Sequence, residues 1–130
     1  MPSQAPESLL KRIMDTYGRA WETRDADLVL SVFTEEATYR ENPFSEPMAG
    51  HGAIRNYWEQ ATGPHRNVQF HWDDLGASGE LHFIEWNCSF TRLDVKGRIE
   101  LRGIMLLELR GERIYRFREY WVRQQNRPQT

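Results

Sequence analysis

Ile99-Glu-Leu-Arg-Gly-Ile-Met-Leu-Leu-Glu-Leu-Arg-Gly-Glu-Arg-Ile-Tyr-Arg-Phe-Arg-Glu-Tyr-Trp-Val-Arg123 decides the fold. Ile99, Leu101, Gly103, Met105, Leu107 and Leu109 recur at every second position, the period of a strand with one buried face. Gly111-Glu112 supplies a turn, and in the returning segment Tyr115, Phe117, Glu119 and Trp121 share one face. The same period extends upstream. Ile84, Trp86, Cys88 and Phe90 alternate with Glu85, Asn87 and Ser89, and Val68, Phe70 and Trp72 alternate with Gln69, His71 and Asp73. Four successive strands joined by short connections read as an antiparallel meander.

Before Pro64 the period is helical. Leu10, Ile13, Met14, Tyr17, Ala20 and Trp21 form one apolar stripe over residues 7–23, with Pro6 and Glu7 suited to a first turn. Asp25 is a side-chain cap for a second helix with Leu28, Val29, Val32 and Phe33 on its apolar face, expected to run to about Ala37. Residues 39–52 begin as a short extended piece and become a loop at Pro43, Pro47, Gly50 and Gly52. Ile54, Tyr57, Trp58 and Ala61 mark a third helix, stopped by Gly63-Pro64. The tail from Gln124 is polar and expected to fray.

The expected fold is therefore α+β, a cone-shaped half-barrel in which three N-terminal helices cover a curved antiparallel sheet and a central pocket. With 130 residues the chain is long enough for one domain spanning residues 1–130.

Composition narrows the function classes. The net charge is −2 and the 17 basic residues include only two lysines, Lys11 and Lys96, with arginines scattered among acids, so nucleic acid is not an expected partner. No run approaches the roughly 18 apolar residues of a membrane span, and MPSQAPESLL lacks a secretory layout. The lone Cys88 offers no disulfide framework, and a cytoplasmic location is expected. His51, His65, His71 and His82 lack metal-ligand spacing, so no metal is expected; without a phosphate loop or nucleophile elbow, no cofactor is expected either.

The element order, with Tyr17-Gly-Arg-Ala-Trp-Glu-Thr-Arg-Asp-Ala-Asp-Leu, Phe33-Thr-Glu-Glu-Ala-Thr-Tyr, Asn42-Pro43, Gly52-Ala-Ile-Arg-Asn-Tyr-Trp and Tyr120-Trp121, resembles the nuclear transport factor two-like superfamily. Within it the chain looks most like the bacterial SnoaL-like proteins, the branch of polyketide cyclases, ketosteroid isomerases and limonene epoxide hydrolases, many members of which have no known reaction. The resemblance implies the cone fold and a cofactor-independent chemistry, while function must be argued from the site. Ketosteroid isomerases place a tyrosine eight residues before the aspartate that opens helix two, the spacing of Tyr17 and Asp25. Their proton-carrying carboxylate falls on Glu41 by counting, or on Asn42 by the adjoining Pro43, and only Glu41 has the basicity for the role. Their second oxyanion donor falls at Gly103 or Ile104, where no side chain can donate. A carboxylic acid kept protonated by an apolar site, for which ketosteroid isomerase is the standard example, is absent at that position.

Three residues are candidate catalysts: Tyr17, Glu41 and Glu119, the last because alternation sets its carboxyl on the inward face, where burial raises a carboxyl pKa. A salt bridge to a neighbouring arginine or a slipped register is the alternative for Glu119. Trp21, Tyr39, Asn42, His51, Trp58, Trp72, Trp86, Gly103 and Trp121 are the expected ligand-contacting set, the aromatics as walls and His51 at the pocket edge. Two functions remain open, acid–base catalysis on an apolar substrate (isomerase, cyclase or hydrolase) and a non-catalytic ligand-binding or dimerisation module. The expected partners are an apolar small molecule and a second copy of the chain, docked two-fold through Ile104, Leu106, Tyr120 and Val122 on the outer sheet face.

Overall fold

A computed structural model describes residues 4–95 and 97–126 of the chain. The elements run α1 (Gln4–Thr23), α2 (Ala26–Leu30), β1 (Phe33–Arg40), β2 (Met48–Ala49), α3 (Gly50–Thr62), β3 (His65–Ser78), β4 (Leu81–Arg92), β5 (Arg98–Arg110) and β6 (Arg113–Asn126). One six-stranded sheet has the order β2-β1-β6-β5-β4-β3. It is an α+β fold with an open, curved sheet and helices toward the N-terminus. The sheet is mixed rather than wholly antiparallel, because β1 lies parallel to β6 while the other neighbours are antiparallel. Register shifts in β1–β6, β3–β4 and β5–β6 bend the strands, which gives the sheet a concave side for the helices to cover.

Several boundaries differ from the sequence reading. Asp25 does cap α2, its Oδ1 accepting from the Leu28 amide at 3.0 Å, but the helix stops at Leu30 instead of Ala37. Val32 and Phe33 satisfied a helical stripe on paper. In the fold the Ile114 amide donates to the Val32 carbonyl at 2.8 Å and Phe33 pairs with Ile114, so sheet contacts override the local period. The third helix begins four residues before Ile54, at Gly50, and brings His51 into its first turn. Gln124 to Asn126 continue β6 against Arg98 to Glu100 rather than fraying; residues 127–130 of that tail lie outside the described residues.

The core lies between the helices and the concave face. Ile13, Met14, Tyr17 and Ala20 from α1 and Ile54 and Trp58 from α3 are buried against Trp86, Cys88, Met105, Leu107 and Phe117. At Gly18 a Cβ would stand 2.8 Å from Phe70 Cδ2, so the missing side chain is what lets α1 settle on β3. Cys88 is a buried free thiol whose pKa burial pushes up, which makes it inert packing.

One bulge matters for function. Leu109 pairs with Ile114 and Glu108 with Arg116, leaving Tyr115 as the extra residue of β6. Ile114 therefore turns inward and Tyr115, expected inside, turns outward to donate its hydroxyl to Glu108 at 2.9 Å. Beyond the bulge the alternation resumes unchanged, so Phe117 and Glu119 are both buried. On the outer face Glu108 pairs with Arg116 and Arg118, at 3.2 and 3.7 Å, while Tyr120 and Val122 are 44% and 73% exposed. No helix among the described residues is long and apolar enough to cross a membrane.

Candidate functional site

A cavity of about 280 Å³ opens between α1, α3 and the concave sheet face. Eight of the residues singled out from sequence line it: Tyr17, Trp21, Tyr39, Glu41, Trp58, Trp86, Glu119 and Trp121. Each comes from a position where the local structure turns it inward. Tyr17 and Trp21 are one helical turn apart on α1. Tyr39 sits opposite Phe117 across the parallel β1–β6 pair, and Trp86, Gly103 and Trp121 lie in one row across β4, β5 and β6.

The deep end is a hydroxyl and carboxyl cluster. The Tyr17 and Tyr39 hydroxyls are 2.9 Å apart, and the Phe117 ring stacks on Tyr39 at 4.2 Å and on Tyr17 at 5.7 Å. Glu119, only 6% exposed, shares this end. Burial, reinforced by the negative charge of Glu41, pushes its carboxyl up to about 8, while the hydrogen bond from Tyr39 acts the other way. Burial and then the Glu119 charge also hold Tyr17 and Tyr39 well above the ordinary tyrosine pKa, so both are neutral donors at any working pH. Glu41 follows Arg40, the last β1 residue paired with β6, and lines the same cavity half-buried.

Three oxygens in a row have a proton-dependent direction. With Glu119 ionised, Tyr39 donates to the carboxylate and Tyr17 must donate to Tyr39, which uses up the Tyr17 hydrogen. With Glu119 protonated, Tyr39 is free to donate to Tyr17, which leaves the Tyr17 hydrogen and the carboxylic acid proton uncommitted. Burial, which pushes the Glu119 carboxyl up to about 8, favours the protonated arrangement at neutral pH.

Four expected contacts lie elsewhere, each for a local reason. The Asn42 side chain accepts from the Phe44 amide at 2.9 Å, an Asx turn that serves the exposed loop. His51 bonds the Phe33 carbonyl at 3.0 Å from the start of α3, tying that helix to β1. Trp72 leans its indole N–H on Asp15 at 3.3 Å, beyond the cavity on β3. Gly103 lies between Trp86 and Trp121, and a Cβ there would stand 2.1 Å from the Tyr120 carbonyl oxygen and 2.7 Å from Trp121 Cβ. No side chain fits that position, so a second oxyanion donor is sterically excluded from it.

The cavity also holds residues that sequence reasoning did not single out. Tyr57, on the third-helix stripe, packs on Tyr39 at 5.2 Å. His65 accepts from the Trp21 indole at 3.0 Å through Nδ1 and stacks on Phe90 at 3.7 Å, and burial, with the Arg92 charge, lowers its pKa to about 4. It is a neutral wall residue. Phe90, Ile99 and Leu101 carry the wall outward to Arg92 and Arg123. Their inward alternation was legible; that these particular positions border empty space was not. Among the described residues no group of three or more His, Cys, Asp or Glu is placed to hold a metal ion.

The comparisons with known proteins agree with this architecture. The SnoaL-like domain family matches residues 14–117. The epoxide hydrolase/cyclase-like enzyme SalBIII, of pyran ring formation in the polyether salinomycin, superposes with a TM-score of 0.75 at 22% identity over 92% of this chain and 94% of that one. A scytalone dehydratase-like protein of Novosphingobium aromaticivorans gives 0.78 at 11% identity over 98% and 91%. A ketosteroid isomerase-like protein of Catenulispora acidiphila, in complex with trimethylamine, gives 0.73 at 19% identity over 83% of each chain. At these identities the likeness is one of fold. No curated protein matches the chain by sequence. Helices, mixed curved sheet, covered cavity and family match together identify the chain as a member of the SnoaL-like domain family, within the nuclear transport factor two-like fold.

Proposed function

We propose that the cavity carries out acid–base catalysis on an apolar substrate bearing a carbonyl, epoxide or similar oxygen, in the manner of an isomerase, cyclase or hydrolase. The observation that carries the reading is that Glu119, a buried carboxyl whose pKa burial pushes up to about 8, shares one aromatic cavity with the half-buried Glu41. Two carboxyls in unlike environments divide the work of acid and base. Glu41, nearer solvent, takes a proton from the substrate, while the protonated Glu119 and the Tyr17 hydroxyl hydrogen-bond the oxygen on which negative charge develops. The fold neighbours named above include an epoxide hydrolase/cyclase-like enzyme and a scytalone dehydratase-like protein, so the fold is one on which such chemistry occurs.

The test is turnover in D₂O with a panel of apolar ketones, epoxides and aromatic polyketides first shown to bind by thermal shift. Glu41→Gln and Glu119→Gln are each expected to slow deuterium incorporation or ring opening by about 10²- to 10⁴-fold. Bound compounds that never turn over would refute the reading.

A non-catalytic binding module is the second reading, and Gly103 favours it, because the position leaves the tyrosine and carboxyl cluster without a further donor. It predicts that both glutamine variants bind ligand as the wild type does, with no turnover by any of the three. Dimerisation through the exposed Tyr120 and Val122 belongs to either reading, and sedimentation of Val122→Glu checks it.

A further inference from the structure

The two ends of the cavity differ in charge. Glu119, Trp121 and Arg123 follow one another on the inward face of β6, and Arg123 stands opposite Leu101, a buried wall residue, so its side chain issues on the cavity side. Four residues of strand separate Glu119 from Arg123, roughly 13 Å at about 3.3 Å per residue. Trp121, Leu101, Ile99 and Phe90 line the way between them. At the far rim Arg92 already forms a two-point pair with Asp94, Nε to Oδ1 at 2.9 Å and Nη2 to Oδ2 at 2.8 Å. Arg123 has no carboxylate partner among the described residues; its Nη2 donates to the neutral Gln125 side-chain oxygen at 3.3 Å. A cation thus stands at one end of an apolar channel whose other end holds two carboxyls.

We propose that the substrate is an apolar acid whose carboxylate is held by Arg123 at the rim, with its hydrocarbon or aromatic body along Phe90, Ile99 and Leu101 and its reacting oxygen at Tyr17 and Glu119. This deepens the catalytic reading of the same site and rests on it for the reacting end only. Guanidinium and carboxylate match in geometry and charge, and the pair is stronger than a neutral hydrogen bond. The reverse orientation sets the carboxylate beside the Glu41 charge and in the buried end around Glu119, where repulsion and desolvation both oppose an anion. The polarity of the cavity therefore selects both the ligand class and its direction.

The test compares two probes of one shape, 4-biphenylcarboxylate and neutral 4-biphenylcarboxamide, titrated into the 130-residue chain while the fluorescence of the wall tryptophans is followed. The acid is expected to bind about tenfold tighter than the amide, the preference a single charge-assisted contact gives. Arg123→Gln is expected to bring that ratio to about one, Arg123→Lys to keep most of it, and 0.5 M salt to reduce it. Glu119→Gln is expected to leave it unchanged. An amide that binds as well as the acid, a ratio that survives in Arg123→Gln, or no binding of either probe at 1 mM would overturn the proposal. Its failure is separable from that of the catalytic reading. Turnover of a neutral compound that is lost in Glu119→Gln would remove the anchor and leave the chemistry, and an Arg123-dependent acid preference with no turnover would do the opposite.

Discussion

Replacing Glu119 with glutamine should make the protein more stable relative to the wild type as the pH rises. Below pH 4.5, the ordinary value for a glutamate, the carboxyl is protonated in folded and unfolded chains alike; in the fold it stays protonated up to about 8. Between those limits unfolding releases a proton, so the contribution of Glu119 to stability is fully present below 4.5 and is lost as the pH rises toward 8. The slope is about 1.4 kcal/mol per pH unit, or about 3 kcal/mol between pH 5 and 7. Glu119→Gln has a similar shape and does not titrate. Its stability relative to the wild type is therefore expected to climb by about 3 kcal/mol over that interval, on the order of 10 °C in Tm for a chain of this size. Paired urea denaturation curves at pH 5, 6 and 7 measure the difference, which cancels the groups the two proteins share. A difference that stays constant across the three would mean that the Glu119 carboxyl is already ionised in the fold, and the assignment of the acid would fall with it.

Two further outcomes follow from the packing around the cavity. Gly103→Ala drives a methyl to 2.1 Å from the Tyr120 carbonyl oxygen, so β5 and β6 must part, and a loss of about 1–3 kcal/mol is expected in urea denaturation; a change within 0.5 kcal/mol would show that the strands give way freely. Because the Trp21 indole donates to Nδ1, ¹⁵N NMR should find His65 as the neutral Nε2–H tautomer, resisting protonation until about pH 4. The contribution of this neutral histidine to stability is complete above the ordinary histidine pKa of 6.5 and is lost as the pH falls from there toward 4. A protonated ring at pH 6 would contradict the bond to Trp21.

Much of this site could be read from residue order, because a strand writes its buried face at every second position. Glu119, Trp121 and Trp86 were inward by alternation, and Tyr17 and Trp21 by the α1 stripe. The bulge at Tyr115 left the downstream phase intact, since it lies before Phe117 and the alternation resumes beyond it. What failed shares a cause. Val32 and Phe33 fit a helical stripe and a buried strand equally well, and only pairing with Ile114 in a strand some eighty residues away selects the second. Asn42 and His51 lay beside the expected mouth in sequence, yet an Asx turn and a backbone carbonyl claim their side chains. The parallel β1–β6 pair and the wall formed by Phe90, Ile99 and Leu101 are properties of closure in three dimensions, for which a single sequence carries no local mark.

The central claim is that one cavity carboxyl is held protonated at neutral pH by burial and by a second carboxyl beside it. The direct measurement is a ¹³C NMR titration of the Glu119 side-chain carboxyl in the wild type and in Glu41→Gln. A midpoint near 8 in the wild type, moving down when the charge of Glu41 is removed, is the predicted result. A midpoint near 4.5 in both proteins would contradict the account, since Glu119 would then be an ordinary carboxyl despite its burial.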